Sequence, residues 1–258
     1  MRTRPFIQIA ICITVLLASA PIHSARAGTI HAATVNWPPY AASYLPNNGF
    51  TTEIITEAFR RTGYDVQISF LPWKRALLLA EQGKMDAVFS AYDSKERREK
   101  FIFSDPYVIS QTVFCARKDS EIEYAGLEGL KPYRIGVVRS YVNSPEFDAA
   151  DFLHKEVGNS DIMNLKKLLA GRLDLIVIDK FTAIYLLKND PTILGDINSV
   201  RFLSPPLLYN PTHILFSKKL DKHEEYVKAF NEGLQRMIDD GTYEHIMTTY
   251  GFTKEEFN

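Results

Sequence analysis

Two charged side chains and two tryptophans are the residues best suited to hold a small molecule. Asp179 closes the apolar run Leu175-Ile176-Val177-Ile178. An acid at the carboxyl end of a buried parallel strand faces the crevice where open α/β sheets bind ligands. The same position also suits the N-cap of a following helix. Arg97 lies in the charged run 93–100, Asp-Ser-Lys-Glu-Arg-Arg-Glu-Lys, which by itself reads as a solvated turn. A planar guanidinium can donate two parallel hydrogen bonds to a carboxylate. Trp37 and Trp73 are the only tryptophans. Their rings could wall a ligand and stabilise a cation, or pack in the core.

Motifs of several enzyme classes are missing from the chain. It has no Gly-x-x-x-x-Gly-Lys-Ser/Thr phosphate loop, no Gly-x-Gly-x-x-Gly fingerprint and no Gly-x-Ser-x-Gly elbow. The six histidines show no metal-ligand spacing. No cofactor and no metal are expected. A formal net charge of −1 argues against a nucleic-acid partner.

The 258 residues are 46% hydrophobic and 24% charged, which suits a globular chain and not a disordered one. Residues 1–27 read as a secretory signal peptide. Arg2 and Arg4 supply the positive start, residues 6–20 the apolar stretch, and Ala25-Arg26-Ala27 the small residues at the cleavage site. The apolar stretch is shorter than the ~20 residues that span a bilayer. Cys12 lies inside this leader, so Cys115 alone remains, in an apolar segment that predicts a buried, inert thiol. The expected product is exported, mildly acidic and monomeric.

Short β-rich runs at 32–37, 66–71, 85–90, 133–138 and 173–178 alternate with helical spacing. Ile54, Ile55, Ala58 and Phe59 share one helix face; Tyr226, Phe230, Leu234, Met237 and Ile238 share another. The alternation predicts βαβ units and mostly parallel sheets. One pattern occurs twice: helix, Gly, basic residue, apolar residue, Asp, buried strand, around Gly83-Lys84-Met85-Asp86 and Gly171-Arg172-Leu173-Asp174. Each Gly is expected to stop its helix at positive φ, and each Asp to brace the turn. Two similar lobes follow. Apolar runs at 112–118 and 212–219 are the candidate crossing segments, giving lobe 1 as 28–113 with 217–258 and lobe 2 as 114–216.

An ordered set of motifs then carries a resemblance over essentially the whole exported chain. It comprises Trp37-Pro38-Pro39-Tyr40, Gly49-Phe50, Pro72-Trp73-Lys74-Arg75-Ala76-Leu77, Gly83-Lys84-Met85-Asp86 and Glu96-Arg97. Phe103-Ser104-Asp105-Pro106-Tyr107, Arg134-Ile135-Gly136-Val137-Val138, Gly171-Arg172-Leu173-Asp174 with Asp179, and Asp240-Gly241-Thr242-Tyr243 complete it. The chain resembles the bacterial periplasmic solute-binding proteins of family 3, which bind polar amino acids for ATP-binding cassette importers. The resemblance implies a two-lobed α/β fold of the type II, Venus-flytrap kind, closing on a ligand between the lobes. It implies a membrane permease as partner and a periplasmic location.

By that resemblance Arg97 grips a ligand carboxylate, Asp179 holds the ammonium, and Trp37 and Trp73 sandwich the ligand. Tyr40 and Tyr92 are further aromatic candidates. Ser90 and Ala91 match positions whose hydroxyl or carbonyl groups meet the ammonium. Such pairing is needed because an amino acid's two charges are costly to remove from water unpaired. The turn Val138-Arg139-Ser140-Tyr141 departs from the family pattern of Gly followed by Thr, and Ser140 and Tyr141 take those places. Arg139, and Arg75 beside Trp73, could add a second cation and select an acidic or larger ligand. Two other readings share the scaffold: a dehydratase of the cyclohexadienyl type, which needs a general acid, and a ligand-binding partner of a membrane sensor.

Overall fold

The computed structural model describes residues 28–139, 141 and 143–252. The expected leader and Ser140 lie outside them. The strands are β1 (Gly28–Thr34), β2 (Tyr64–Phe70), β3 (Ala87–Tyr92), β4 (Phe101–Phe103), β5 (Val108–Arg117), β6 (Arg134–Val138), β7 (His154–Gly158), β8 (Leu175–Asp179), β9 (Val200–Phe202) and β10 (Leu208–Ser217). The helices are α1 (Phe50–Arg61), α2 (Trp73–Glu81), α3 (Lys95–Lys100), α4 (Pro145–Ala149), α5 (Asp161–Leu169), α6 (Lys180–Asn189), α7 (His223–Asp239) and α8 (Thr242–Thr249).

Each half has the parallel βαβ character that the alternation predicts. β1 pairs in parallel with β2 and β3, and β6 with β7 and β8. The halves are joined by β5 and β10, which run antiparallel to each other and to their neighbours. One chain crossing leads out and one leads back, so antiparallel pairing follows. The strand order is β2-β1-β3-β10-β5-β8-β6-β7, with β4 beside β10 and β9 beside β5. The result is a two-lobed α/β fold whose lobes share one hydrogen-bonded ladder.

The repeated pattern has a structural counterpart. Gly83 and Gly171 both end helices in the left-handed region, at φ +72° and +70°. Asp86 accepts a 2.8 Å hydrogen bond from the His31 amide, and Asp174 accepts one of 2.8 Å from the Arg134 amide. Each Asp therefore braces the first strand of its own half and not only its local turn. The guanidinium of Arg134 adds further bonds to Asp174.

The core of the first half gathers Ile30, Phe50, Ile54, Ala58, Phe59, Phe216, Phe230, Leu234 and Met237. Ile238 departs from the expected stripe and is 51% exposed. Each i+4 step on an α-helix rotates by about 40°, so three steps from Tyr226 carry Ile238 off the buried face. The second half has its own clusters around Leu165, Leu168 and Ile176, and around Phe114, Ile135 and Phe147. Cys115 is fully buried, and burial pushes its thiol up to about 12. Helix α6 is apolar on most sides because both halves cover it. Its Phe181 and Ile184 pack into the core of the first half, with the Phe181 and Phe252 rings 4.4 Å apart. Among the described residues no helix is long and apolar enough to cross a membrane.

Helices α1 and α7 meet backbone to backbone at Gly233, where an added Cβ would lie 2.0 Å from the Ala58 carbonyl oxygen. Gly233→Ala is therefore expected to destabilise the fold by a net of about 2 kcal/mol, overpacking of ~3 kcal/mol exceeding a helix-propensity gain of ~1 kcal/mol. Thermal unfolding should show a midpoint lower by roughly 4–8 °C. An unchanged or higher midpoint would mean that the helices can separate without loss.

Candidate functional site

The carboxyl ends of the parallel strands in both halves face one another, and a cavity of about 490 Å³ lies between them. That volume suits a small metabolite. Trp37 and Asn36 follow β1, Ser90 and Tyr92 end β3, Tyr141 follows β6, Asp161 opens α5 after β7, and Asp179 ends β8; all line the cavity. Thr112 of β5 and Leu208 and Asn210 of β10 also line it where the two strands pair. The Asn210 side-chain amide donates to the Thr112 hydroxyl at 3.2 Å.

Arg97 reaches the cavity from α3. The hydroxyl of Ser94 caps this helix by accepting from the Arg97 amide at 3.2 Å. Neighbouring charges on the same run turn outward and pair at the surface, Arg98 with Asp93 and Lys100 with Glu81. The Arg97 guanidinium lies over the Trp73 ring, 5.3 Å from its centroid, and donates to the Tyr92 carbonyl oxygen. Among the described residues no carboxylate forms an ion pair with it. Burial lowers its pKa, which states that its charge is incompletely compensated.

Asp179 caps a helix and also lines the cavity. One carboxylate oxygen accepts from the Thr182 amide at 2.8 Å and caps α6. The other accepts from the Tyr40 hydroxyl at 2.7 Å, across the two halves. Burial raises the pKa of this carboxyl to about 6, although both hydrogen bonds favour the ionised form. Asp161 is likewise raised to about 6, first by burial and then by the charge of Asp179; among the described residues the partner of its carboxylate is the Tyr141 hydroxyl at 3.4 Å.

The aromatic groups form a connected wall. Trp37 stacks on Tyr40 at 4.0 Å with 17° between the planes, and Tyr92 meets Trp37 edge-on at 6.0 Å. The Tyr92 hydroxyl lies 3.1 Å from the Ser110 hydroxyl. Ser90 adopts φ +65°, a costly conformation for a non-glycine residue and one that tends to mark sites of ligand contact.

Seven of the twelve expected residues thus meet at one cavity: Trp37, Trp73, Ser90, Tyr92, Arg97, Tyr141 and Asp179. Tyr40 stands behind the wall, fully buried, and acts through Asp179 and Trp37. Ala91 does not line the cavity; successive strand residues alternate faces, so its side chain enters the core beside Ala33 and Ala76. Arg75 and Arg139 are exposed and outside the cavity lining. Arg75 falls on the solvent side of α2 and Arg139 is exposed just after β6, so neither adds a cation to the cavity lining. Asp161, Asn210 and Thr112 were missed. β7 is polar and lies at the sheet edge, so no apolar run announced it or the acid after it. Among the described residues no group of three or more His, Cys, Asp or Glu could hold a metal ion.

The model of the bacterial extracellular solute-binding proteins, family 3, matches residues 30–254. The L-cystine-binding protein TcyJ of Escherichia coli (strain K12) is 25% identical over 200 residues, covering 75% of this chain and 70% of the relative. The arginine-binding extracellular protein ArtP of Bacillus subtilis (strain 168) is 22% identical over 262 residues, covering 96% and 97%. Among solved structures, an ancestral cationic amino acid solute-binding protein superposes with a TM-score of 0.69 at 22% identity, covering 86% of this chain and 95% of that one. This last likeness bears on the fold alone.

A carboxyl with a higher pKa in the folded than in the unfolded chain weakens folding as pH rises from about 4 toward 6. Asp161→Asn removes that loss. Relative to the parent chain, the variant is expected to gain about 1–2 kcal/mol between pH 4 and pH 7. Urea unfolding at both pH values measures the difference, and carboxylates not coupled to Asp161 cancel between the two chains. An equal gap at the two pH values would mean that Asp161 titrates like a surface acid.

Proposed function

Because the chain belongs to the bacterial extracellular solute-binding proteins, family 3, we propose that its solute is a free α-amino acid held in the cavity between the two halves. Arg97 takes the carboxylate and Asp179 the ammonium, with Trp37 and Trp73 as walls. The observation that carries this reading is the half-buried Arg97 guanidinium, braced on Trp73 and lining the same cavity as Asp179, without an ion-pair partner among the described residues. The names of the relatives, one for cystine and one for arginine, support the same ligand class.

The proposed role is capture in the periplasm, after removal of residues 1–27, and delivery to the permease of an ATP-binding cassette importer. In this reading residues 28–113 with 217–258 move as one lobe and 114–216 as the other, bending near 112–118 and 212–219. A ligand that touches both lobes binds the closed form better and shifts the equilibrium toward it by that difference in affinity. The role is binding, not turnover. Prephenate and arogenate are expected to remain unconverted on incubation with the protein, and formation of product would replace this reading with the dehydratase one.

Thermal unfolding against a panel of amino acids and amine-free carboxylates tests the ligand. At a free concentration of about 100 times Kd, the cognate amino acid should stabilise the protein by about 2.7 kcal/mol. The midpoint then rises by roughly 5–10 °C. Arg97→Ala should lose this shift at the same concentration. If only amine-free carboxylates raise the midpoint, Asp179 does not have the role given to it.

A further inference from the structure

The charges that face the cavity are unequal. Among the described residues lining it, Arg97 is the one cation, while Asp161 and Asp179 are two acids. Arg75 and Arg139, the other nearby arginines, are exposed and outside that lining. An α-amino acid brings one carboxylate for Arg97 and one ammonium for Asp179. That leaves the second carboxyl without a counter-charge.

The two acids are not equivalent. Asp179 accepts hydrogen bonds on both oxygens, from Thr182 and Tyr40. Among the described residues the Asp161 carboxylate has one long bond, from Tyr141 at 3.4 Å. Removing such a carboxylate from water when the cavity closes is costly unless a cation arrives with the ligand. The remaining surroundings suit one. Trp37 and Tyr92 offer ring surfaces along which an aliphatic stem or a delocalised cation can lie. The cavity, at about 490 Å³, has room for a long side chain.

We infer that the ligand is an amino acid with a cationic side chain, whose second positive group is held by the Asp161 carboxylate while Asp179 takes the α-ammonium. This rests on the amino acid reading above and names the substrate class within it. The acidic ligand that Arg75 or Arg139 would have favoured is thereby replaced by a basic one. Burial and the charge of Asp179 hold the Asp161 carboxyl near 6 before a ligand arrives. A bound cation favours its ionised form.

Calorimetric titration with matched pairs tests the inference on the unaltered chain. Arginine and citrulline share a shape but not a charge; so, nearly, do lysine and norleucine. The charged member of at least one pair is expected to bind at least 100-fold more tightly. Agmatine, which lacks the carboxylate, is expected to bind at least 100-fold more weakly than arginine. Asp161→Asn should narrow the preferred charged-to-neutral ratio to less than tenfold, and Tyr141→Phe, which keeps the acid, should retain most of it. A folded Asp161→Asn chain with an unchanged ratio overturns the role of Asp161. Neutral members binding as tightly as charged ones overturn the inference but leave the amino acid reading standing. Failure of every amino acid to bind, with a hit among amine-free carboxylates, overturns that reading itself.

Discussion

The pairing of β5 with β10 is the constraint from which the site follows. The chain leaves the first half along β5 and returns along β10, and the two strands pair with each other over Leu208–Thr112 to Thr212–Val108. The same strands complete the sheets of both halves, β10 against β3 and β5 against β8. The parallel strands of each half therefore end facing the join. Their carboxyl ends carry the loops that bind ligands in open α/β sheets, and here two such ends share one cavity. Register does the rest: Thr112 lies opposite both Leu208 and Asp179, so the crossing strand and this cavity-lining acid meet at one level.

A second set of contacts ties the halves across that cavity. The Tyr40 hydroxyl reaches Asp179, and Phe181 and Ile184 of the helix that Asp179 caps enter the core of the first half. The carboxylate thus has a packing consequence as well as a chemical one. It starts α6, and α6 carries apolar side chains into both lobes. Any ligand ammonium that approaches Asp179 does so beside a bond that already links them.

Electrostatics separates neighbours that look alike in sequence. Arg97 and Arg98 are adjacent, yet Arg98 pairs with Asp93 at the surface and Arg97 turns inward over Trp73. A surface pair in water contributes little. A half-buried guanidinium with no ion-pair partner among the described residues is costly until an anion reaches it. The same logic distinguishes Asp174, neutralised by Arg134 at the base of the second half, from Asp161 and Asp179 at the cavity. At Asp174 the hydrogen bonds from Arg134 outweigh burial and hold the carboxyl below its ordinary range; at the cavity burial dominates and both carboxyls are raised.

Much of this was legible in the sequence, for identifiable reasons. Central strands must be largely apolar, so β1, β3, β6 and β8 announced themselves, and the edge strand β2 did so through its own β-rich run at 66–71. The twin Gly-to-Asp turns did too, since positive φ and a carboxylate brace each demand one residue type. Asp179 was visible because it interrupts an apolar run at its end, and the match of Trp37, Trp73 and Arg97 to a known pattern placed them at one site. What the sequence could not supply was direction and company. β7 is a polar edge strand whose pattern does not distinguish it from a loop, so Asp161 after it had no context. Strand alternation turns Ala91 inward, and helix phase turns Arg75 outward, but which face meets the cavity depends on segments far away in the chain. The residue types that could hold a zwitterion were thus set by the sequence alone. The balance of one cation against two acids among the described lining residues was decided only when the two crossing strands brought distant loops together.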